Sequence, residues 1–287
     1  MAPSILRIKT MTLILRLLLL TLLTLQLSAC SWLFGGKASE RDGPPHFNVD
    51  VNKIPDAVPK AEPHSRYGNP TSYEIKGHRF YVSKTASGYH ERGIASWYGT
   101  KFHGRLTSNR ESYSLLAMTG ASRTLPLPTY VRVVNLQNHR HVIVKVNDRG
   151  PFNLNRIIDL SYAGAKKLGY AEKGTALVEV TAIDPKTWCK NDETEVVKEE
   201  TAAIKTTPYL YLQVGAFAFE NNANNLKDRI MHLSELMSRT SVRITETVQA
   251  GRKLYRVQLG PLSGVQQSDE LYQLLDQQGL RPITAVN

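Results

Sequence analysis

Two aspartates close neighbouring apolar runs near the middle of the sequence, and their placement favours acid/base chemistry. The alternating run over 142–146 predicts a half-buried strand that ends on Asn-Asp-Arg-Gly-Pro, residues typical of a turn. This turn brings Asp148 to a loop beside Arg149, and a second strand-like run over 157–160 brings Asp159 to the same region. Catalytic groups concentrate on loops carried by rigid sheets, although a structural turn with a local ion pair explains Asp148 and Arg149 equally well.

The elements that must position these aspartates predict a small β-barrel. A polar loop over 100–111 carries one carboxylate, that of Glu111. Ser161 is a suitable N-cap for a short helix that Gly169 ends. Short strands with a single short helix are typical of a barrel. Further strand patterns lie on both sides of the aspartate-bearing runs, over 93–99, 130–135 and 175–183.

The N-terminus has the composition of an export signal. Basic residues surround an apolar run that ends on Leu27-Ser28-Ala29-Cys30, which predicts removal of residues 1–29. A cysteine directly after Leu-Ser-Ala resembles the bacterial lipobox, which implies lipid attachment to the thiol of Cys30. An uncleaved membrane anchor is the alternative, and the shortness of the run argues against it. Ser31 is not acidic, so we expect anchoring in the outer membrane, facing the periplasm.

Charge and cysteine content restrict the partners. Removal of residues 1–29 would take away three basic residues and lower the net charge from +11 to +8. This excess suits an anionic polymer or a membrane surface, and export argues against nucleic acid as a partner. Lipidation of Cys30 would leave Cys189 as the other cysteine, so no intrachain disulfide is predicted. His139 and His141 lie two residues apart without a third ligand nearby. No metal site and no cofactor are therefore predicted.

Composition divides the 287 residues into five parts. The second part is rich in proline, glycine and polar residues, and the fourth is highly charged, so both are predicted to be disordered. The third part begins with a hairpin that turns at Lys76-Gly77. The five parts are a signal peptide over 1–29, a tether over 30–71, the barrel domain with its N-terminal extension over 72–185, a linker over 186–207 and a second domain over 208–287.

The second domain has the element order βαββαβ, which predicts a split βαβ sandwich with one sheet face open. The chain is therefore mainly β plus α+β. The apolar stripe of the first helix is a core face. The strands are expected over 209–215, 242–248, 254–259 and 282–286, and the helices over 220–238 and 265–278.

Motifs of the barrel domain resemble the rare lipoprotein A family. They are Ala95-Ser96-Trp97-Tyr98-Gly99, Phe102-His103-Gly104-Arg105, Thr124-Leu125-Pro126-Leu127-Pro128 and Val146-Asn147-Asp148-Arg149-Gly150-Pro151-Phe152. The resemblance implies a six-stranded double-psi β-barrel, related to expansins and to some lytic transglycosylases. It also implies cleavage of peptidoglycan glycan strands that lack stem peptides, without water, leaving a 1,6-anhydro sugar.

The resemblance also implies the site residues. The family's active-site glutamate falls on Glu111, its aspartate on Asp148, and an acidic cleft position on Asp159. Arg110 stands where many members have glycine, and an arginine there should keep Glu111 ionised. We therefore expect Glu111 to stabilise positive charge and Asp148 to be the acid/base with a raised pKa.

Two further departures from the family concern polar positions. The chain reads Tyr113-Ser114-Leu115 where members have Phe-Asp-Met, and Ser122 stands where they have a histidine thought to line the active site. These departures favour a non-catalytic septal peptidoglycan-binding lipoprotein. The two retained carboxylates favour a lytic transglycosylase.

The second domain resembles the SPOR domain, a module that binds denuded septal glycan. Its motifs are Gln213-Val214-Gly215-Ala216-Phe217 and Tyr255-Arg256-Val257-Gln258-Leu259-Gly260-Pro261. The candidate glycan-binding residues are Gln213, Phe217, Tyr255 and Arg256. Edge packing is the alternative for the tyrosines. An RNA-recognition domain shares this topology, but its aromatic stacking motif is missing.

These predictions together describe an exported enzyme of the cell wall. Its partners would be denuded glycan strands of peptidoglycan, the membrane through a lipid anchor, and proteins of the division machinery. We expect it to be enriched at the septum.

Overall fold

The computed structural model describes residues 42–188, 208–249 and 251–286. The predicted signal peptide, Cys30, Cys189 and most of the predicted linker lie outside these described residues. Within the described ranges, no helix is both long and apolar enough to cross a membrane.

A β-hairpin precedes the barrel, as predicted. It consists of β1 (Ser72–Ile75) and β2 (His78–Tyr81), which pair antiparallel. The turn between them has positive φ at Lys76 (51°) and Gly77 (75°), the geometry that suits a two-residue hairpin. The phenol of Tyr73 donates to the backbone oxygen of Arg123 at 3.0 Å, so the hairpin packs on the barrel domain.

Six strands form the closed barrel that the sequence predicted. Going around the barrel, the order is β3-β7-β4-β6-β5-β8, with β3-β7 and β4-β6 as parallel pairs. Alternating valines of β5, β6 and β8 are fully buried and fill the interior, which makes the barrel a rigid support. The strands are β3 (His90–Tyr98), β4 (Thr119–Ala121), β5 (Thr129–Asn135), β6 (His141–Asp148), β7 (Ile158–Ser161) and β8 (Ala176–Ile183).

The register around β4 brings both aspartates to one rim of the barrel. Ala121, the last residue of β4, pairs with Asp148 at the end of the parallel strand β6. It also pairs with Asp159 near the start of the antiparallel strand β7. Neighbouring strands lie about 4.8 Å apart, so the two aspartates are about two such spacings from each other. The sequence did not predict β4, because three residues are too few to show a period.

The helix α1 (Tyr162–Lys167) follows β7 directly, as predicted. The hydroxyl of Ser161 accepts a hydrogen bond from the amide of Gly164 at 3.1 Å and so caps the helix. Gly169, with φ of 77°, ends it.

The prediction of a disordered tether is wrong for residues 42–71, which lie along the barrel. The carboxylate of Asp56 accepts the amide of Ile143 at 3.0 Å, and the amide of Ser65 donates to Leu127 at 2.7 Å. Val49 is buried. This segment is too polar to form a core of its own, but it needs none, because the barrel supplies partners for its backbone and side chains.

The C-terminal domain has the predicted order βαββαβ. Its four antiparallel strands are arranged β10-β11-β9-β12, and the helices pack on one face of the sheet. The elements are β9 (Leu210–Phe217), α2 (Glu220–Met231), α3 (Glu235–Arg239), β10 (Val242–Gln249), β11 (Arg252–Leu262), α4 (Val265–Gln277) and β12 (Ile283–Val286).

The single helix expected over 220–238 is two helices. The hydroxyl of Ser234 accepts a hydrogen bond from the amide of Met237 at 3.2 Å, which caps α3 and starts a new helical direction. The apolar stripe continues across the break, because Ile230 and Met237 are both fully buried.

Candidate active site

Asp148 is held at the barrel rim by the loop that carries Glu111. One oxygen of Asp148, Oδ1, accepts from the amide and the hydroxyl of Ser108 at 2.8 and 2.6 Å, and from the amide of Arg149 at 2.7 Å. The amide of Asn109 donates to the backbone oxygen of Asn147 at 3.3 Å. The 107–111 loop is therefore fixed on the end of β6, and Asp148 has a defined orientation.

Neighbours on β6 and within its own loop favour the ionised form of Glu111. Its Oε2 accepts from the Asn147 amide group at 2.8 Å. Its Oε1 accepts from Asn109 at 3.0 Å and lies 2.9 Å from the ammonium of Lys145. Partial burial raises the pKa of Glu111, but these hydrogen bonds and the charge of Lys145 outweigh it and leave the pKa below its usual value. A lowered pKa is the direction that the expected ionised role of Glu111 requires.

Arg110 is not the group beside Glu111 that the sequence predicted. Its guanidinium lies over the ring of Tyr67, 4.8 Å from the ring centre. The cation that contacts Glu111 is Lys145. Arg110 also has φ of 74°, a conformation that favours glycine, which explains why a glycine fits this position in the resembling family.

Asp159 is the most enclosed of the three carboxylates. Its side chain keeps a small accessible surface, but protein atoms surround most of it. Ser96 donates to its Oδ1 at 2.5 Å. Burial raises the pKa of Asp159 to about 6, against the opposing effects of the Ser96 hydrogen bond and the charges of Arg156 and Arg123. Asp159, which the sequence placed in the cleft without a titration role, is thus a carboxyl whose pKa burial raises.

Gly150 lies beside the carboxyl of Asp159. A Cβ on this residue would lie 3.8 Å from Oδ2 of Asp159 and 3.7 Å from the Cβ of Ala121. The φ of Gly150 is 142°, which other residues rarely adopt. The residue two positions after Asp148 therefore lies directly beside the Asp159 carboxyl.

Arg149 has a structural role, as the alternative interpretation of a structural turn expected. The described hydrogen bonds of its side chain go to backbone oxygens and to an amide, rather than to the carboxylate of Asp148. Its guanidinium joins the N-terminal segment to the loop after β4. It donates to the backbone oxygens of Gly68, Ser122 and Leu125 at 2.7, 3.0 and 2.6 Å, and to the side chain of Asn69 at 2.9 Å.

The two departures at Ser114 and Ser122 serve local turns. The amide of Ser122 donates to the backbone oxygen of Asp148 at 3.1 Å, and its hydroxyl accepts from the amide of Thr124 at 3.3 Å. The hydroxyl of Ser114 accepts from the amide of Leu116 at 3.3 Å. These serines therefore support the backbone around the rim.

Glu62 completes the charged cluster at the site, and no sequence pattern pointed to it. Lys145 lies 3.0 Å from Glu62 as well as 2.9 Å from Glu111, so one ammonium bridges two carboxylates. The phenol of Tyr130 donates to Glu62 at 2.5 Å. Glu62 belongs to the segment predicted to be disordered, and composition alone cannot place such a residue beside a strand 83 positions away.

Replacing Lys145 by methionine is expected to raise the pKa of Glu111, because the charge and hydrogen bond of the ammonium favour the carboxylate. NMR titration of the ¹³C-labelled carboxyl would measure this. Lys166→Met is the matched control, since Lys166 contacts the ring of Tyr162 on the outside of α1. An unchanged Glu111 titration in Lys145→Met would contradict the assignment.

The four candidate glycan-binding residues are divided between the two faces of the C-terminal sheet. Gln213 pairs with Gln258, and Arg256 lies on the same face, opposite the helices. Phe217 and Tyr255 pair with each other and pack beside the core on the helix side. All four side chains keep accessible surface.

Among residues 42–188, 208–249 and 251–286, no three His, Cys, Asp or Glu side chains are grouped so as to hold a metal ion. The candidate site therefore consists of carboxylates, one ammonium and hydroxyl and amide donors.

Comparison with known proteins finds two family modules in the chain. A family model described as "Lytic transglycolase" matches residues 90–180, and one described as "SPOR domain" matches residues 206–284. These ranges contain the barrel and the C-terminal domain.

Relatives from several bacteria carry the same name. The endolytic peptidoglycan transglycosylase RlpA of Pseudomonas aeruginosa (strain UCBPP-PA14) is 42% identical over 269 residues, covering 77% of this chain and 77% of that protein. The protein of the same name from Vibrio cholerae is 45% identical over 188 residues, covering 63% of this chain and 71% of its own length. A crystal structure of the RlpA SPOR domain from P. aeruginosa is 28% identical, covering 26% of this chain and 96% of that one, with a TM-score of 0.24.

Proposed function

We propose, since the chain belongs to the family of the RlpA endolytic peptidoglycan transglycosylases, that it cleaves glycan strands of peptidoglycan from within and leaves 1,6-anhydro ends. The observation that carries the proposal is that the loop carrying Glu111 binds Asp148 at the barrel rim, while Asn147 and Lys145 favour the ionised form of Glu111. An acid and a stabilising carboxylate are what cleavage of a glycosidic bond requires.

The proposed reaction uses no water. Asp148 in its acid form donates a proton to the glycosidic oxygen, and the bond from that oxygen to C1 breaks. The ionised Glu111 stabilises the positive charge that develops at C1. The carboxylate of Asp148 then takes the proton of the sugar's own C6 hydroxyl, whose oxygen attacks C1 and closes the anhydro ring. Asp148 ends as it began, protonated, so the proton balance closes.

Asp159 is proposed as the group that tunes this site to pH. Its pKa of about 6 lies close to neutrality, and its carboxyl is next to Gly150 at the same rim. A change of its charge alters the electrostatic field at Asp148 without a change of fold.

The preferred substrate is proposed to be glycan without stem peptides. The C-terminal SPOR module supports this, and Gln213 and Arg256 on the helix-free sheet face are the proposed contacts for the sugar chain. Because such strands are expected where the wall is remodelled for division, the protein is proposed to act at the septum, beside division proteins.

One experiment tests activity and substrate together. Purified full-length protein is incubated with sacculi that are intact or freed of stem peptides by an amidase. Sedimentation then measures binding, and mass spectrometry measures soluble 1,6-anhydro products. We expect both binding and products with the amidase-treated sacculi. Binding without any anhydro product would reject the enzyme and leave a non-catalytic glycan-binding lipoprotein.

Membrane attachment through Cys30 is proposed from the sequence, because this residue lies outside the described residues. Replacing Cys30 by serine is expected to abolish labelling with a radioactive fatty acid and to leave the precursor at its full mass. The wild-type protein should fractionate with the outer membrane. Recovery of mature wild-type protein in the inner membrane would reject that location.

A further inference from the structure

We infer that the C-terminal domain is a structural part of the active site, because a buried polar clamp docks it on the barrel and holds the segment that leads to Asp159. The clamp consists of Asn155 and Arg156 on the barrel side and of Ser268, Asp269 and Thr284 on the C-terminal domain. The inference about docking stands by itself, and its effect on catalysis rests on the proposed function.

The centre of the clamp is a two-pronged ion pair. Both terminal nitrogens of Arg156 donate to Asp269, one to Oδ1 at 2.7 Å and the other to Oδ2 at 2.6 Å. Arg156 is only 6% exposed. Burial raises the pKa of Asp269, but hydrogen bonds from Arg156 and Asn155 outweigh it and lower the pKa overall. A guanidinium buried in this way depends on its partner, because an uncompensated buried charge is strongly destabilising.

Asn155 uses its whole side-chain amide for the same contact. Its Nδ2 donates to the hydroxyl of Ser268 at 3.0 Å and to Asp269 at 2.8 Å. Its Oδ1 accepts from the hydroxyl of Thr284 at 2.5 Å. Asn155 is 2% exposed and Ser268 is fully buried. A buried amide with every hydrogen bond made by the other domain indicates a specific interface.

Apolar packing surrounds the clamp. Ile94, Leu136 and Leu177 of the barrel belong to the same buried cluster as the core of the C-terminal domain. The strand β12 is an edge of the C-terminal sheet and lies on this side. An exposed edge strand is a site of unwanted pairing, so its cover by the barrel adds a reason for the docked arrangement.

The clamped residues belong to the segment that joins the two candidate catalytic strands. The segment 149–157 runs from Asp148 at the end of β6 to the start of β7, which carries Asp159. Arg123 fixes its first half by donating to the backbone oxygens of Pro151 and Asn153, both at 3.2 Å. The C-terminal domain fixes the second half of the segment, so docking defines the position at which β7 begins and, with it, the position of Asp159.

The test replaces one partner of the clamp in the full-length protein. Asp269→Asn keeps the shape of the side chain and removes its charge, and Thr284→Val removes the hydroxyl that bonds Asn155. Glu270→Gln is the matched control, because the neighbouring Glu270 is exposed and bonds Gln266 within its own helix. Hydrogen exchange of the amides at 153–158 is followed by mass spectrometry, together with rates of anhydro product release across pH.

We expect exchange at 153–158 to become about tenfold faster or more in Asp269→Asn, and faster to a smaller degree in Thr284→Val, with no change in Glu270→Gln. The turnover of Asp269→Asn should fall while its glycan binding is retained. The acid limb of its pH–rate profile for product release should move to lower pH, because the uncompensated charge of Arg156 favours the ionised form of Asp159.

Unchanged exchange in both clamp variants, or an equal effect of Glu270→Gln, would overturn the inference. The exchange measurement needs no activity. A chain that makes no anhydro product therefore disproves the proposed function, while the exchange data still decide whether the domain is docked.

Discussion

Replacing Asp148 by asparagine is expected to lower release of 1,6-anhydro products by about a hundredfold or more, the usual loss when a general acid/base is removed. Asparagine has the same shape, and its side-chain oxygen can still accept the hydrogen bonds that Ser108 and Arg149 give to Oδ1. The rim should therefore keep its structure, and only proton transfer should be lost. Product release is measured by mass spectrometry on amidase-treated sacculi.

Asp50→Asn serves as the control for this variant. Asp50 is an exposed residue of the N-terminal segment whose carboxylate pairs with Lys53 at 3.6 Å, remote in chain and role from the rim. It should leave product release unchanged. An Asp148→Asn protein with near wild-type turnover would show that another group is the acid/base, and Asp159 would be the first to examine.

Replacing Asp159 by asparagine is expected to stabilise the protein at neutral pH and to reduce its activity. Because burial raises the pKa of Asp159 from 3.8 to about 6, its favourable contribution to folding is complete below pH 3.8. That contribution is lost as the pH rises through about 6. At pH 8 the buried charge costs up to about 3 kcal/mol, since each pKa unit corresponds to about 1.4 kcal/mol. Asparagine carries no charge and avoids this cost.

Thermal unfolding at several pH values checks the sign of this effect. The melting temperature of Asp159→Asn should exceed that of the wild type at pH 8, and the difference should shrink as the pH falls below 5. The Asp50→Asn protein should show no such trend. A stability difference that is constant with pH would mean that packing, rather than the charge of Asp159, determines the effect.

The barrel and its aspartates could be predicted because the relevant signals are local. The alternation of β6 and the turn after it are contiguous, so the pattern located Asp148 at a strand end. The environment of Glu111 could not be predicted in the same way. Lys145 is part of the same strand pattern, but its bond to Glu62 joins positions that only the folded chain brings together. The sequence therefore named Arg110, the nearest cation in the chain, instead of Lys145.

Composition was also a poor guide where a polar segment relies on a neighbour. Residues 42–71 have too few apolar side chains for a core of their own, which is why composition predicts disorder for them. It does not predict whether another domain offers binding sites, as the barrel does to Asp56 and Ser65. In the C-terminal domain, a continuous apolar stripe hid the break at Ser234, because the buried face continues across it.

The packing of 42–71 has a consequence for how the protein can be shortened. A fragment that begins at Asp42, whose carboxylate accepts the amide of Gly99 at 3.0 Å, keeps the described contacts of this segment with the barrel. Trimming to residue 72 instead would remove Glu62, Tyr67 and Asn69, and with them the second carboxylate on Lys145 and an acceptor of Arg149. A fragment with an intact rim must therefore begin before Glu62, well ahead of β1 at Ser72.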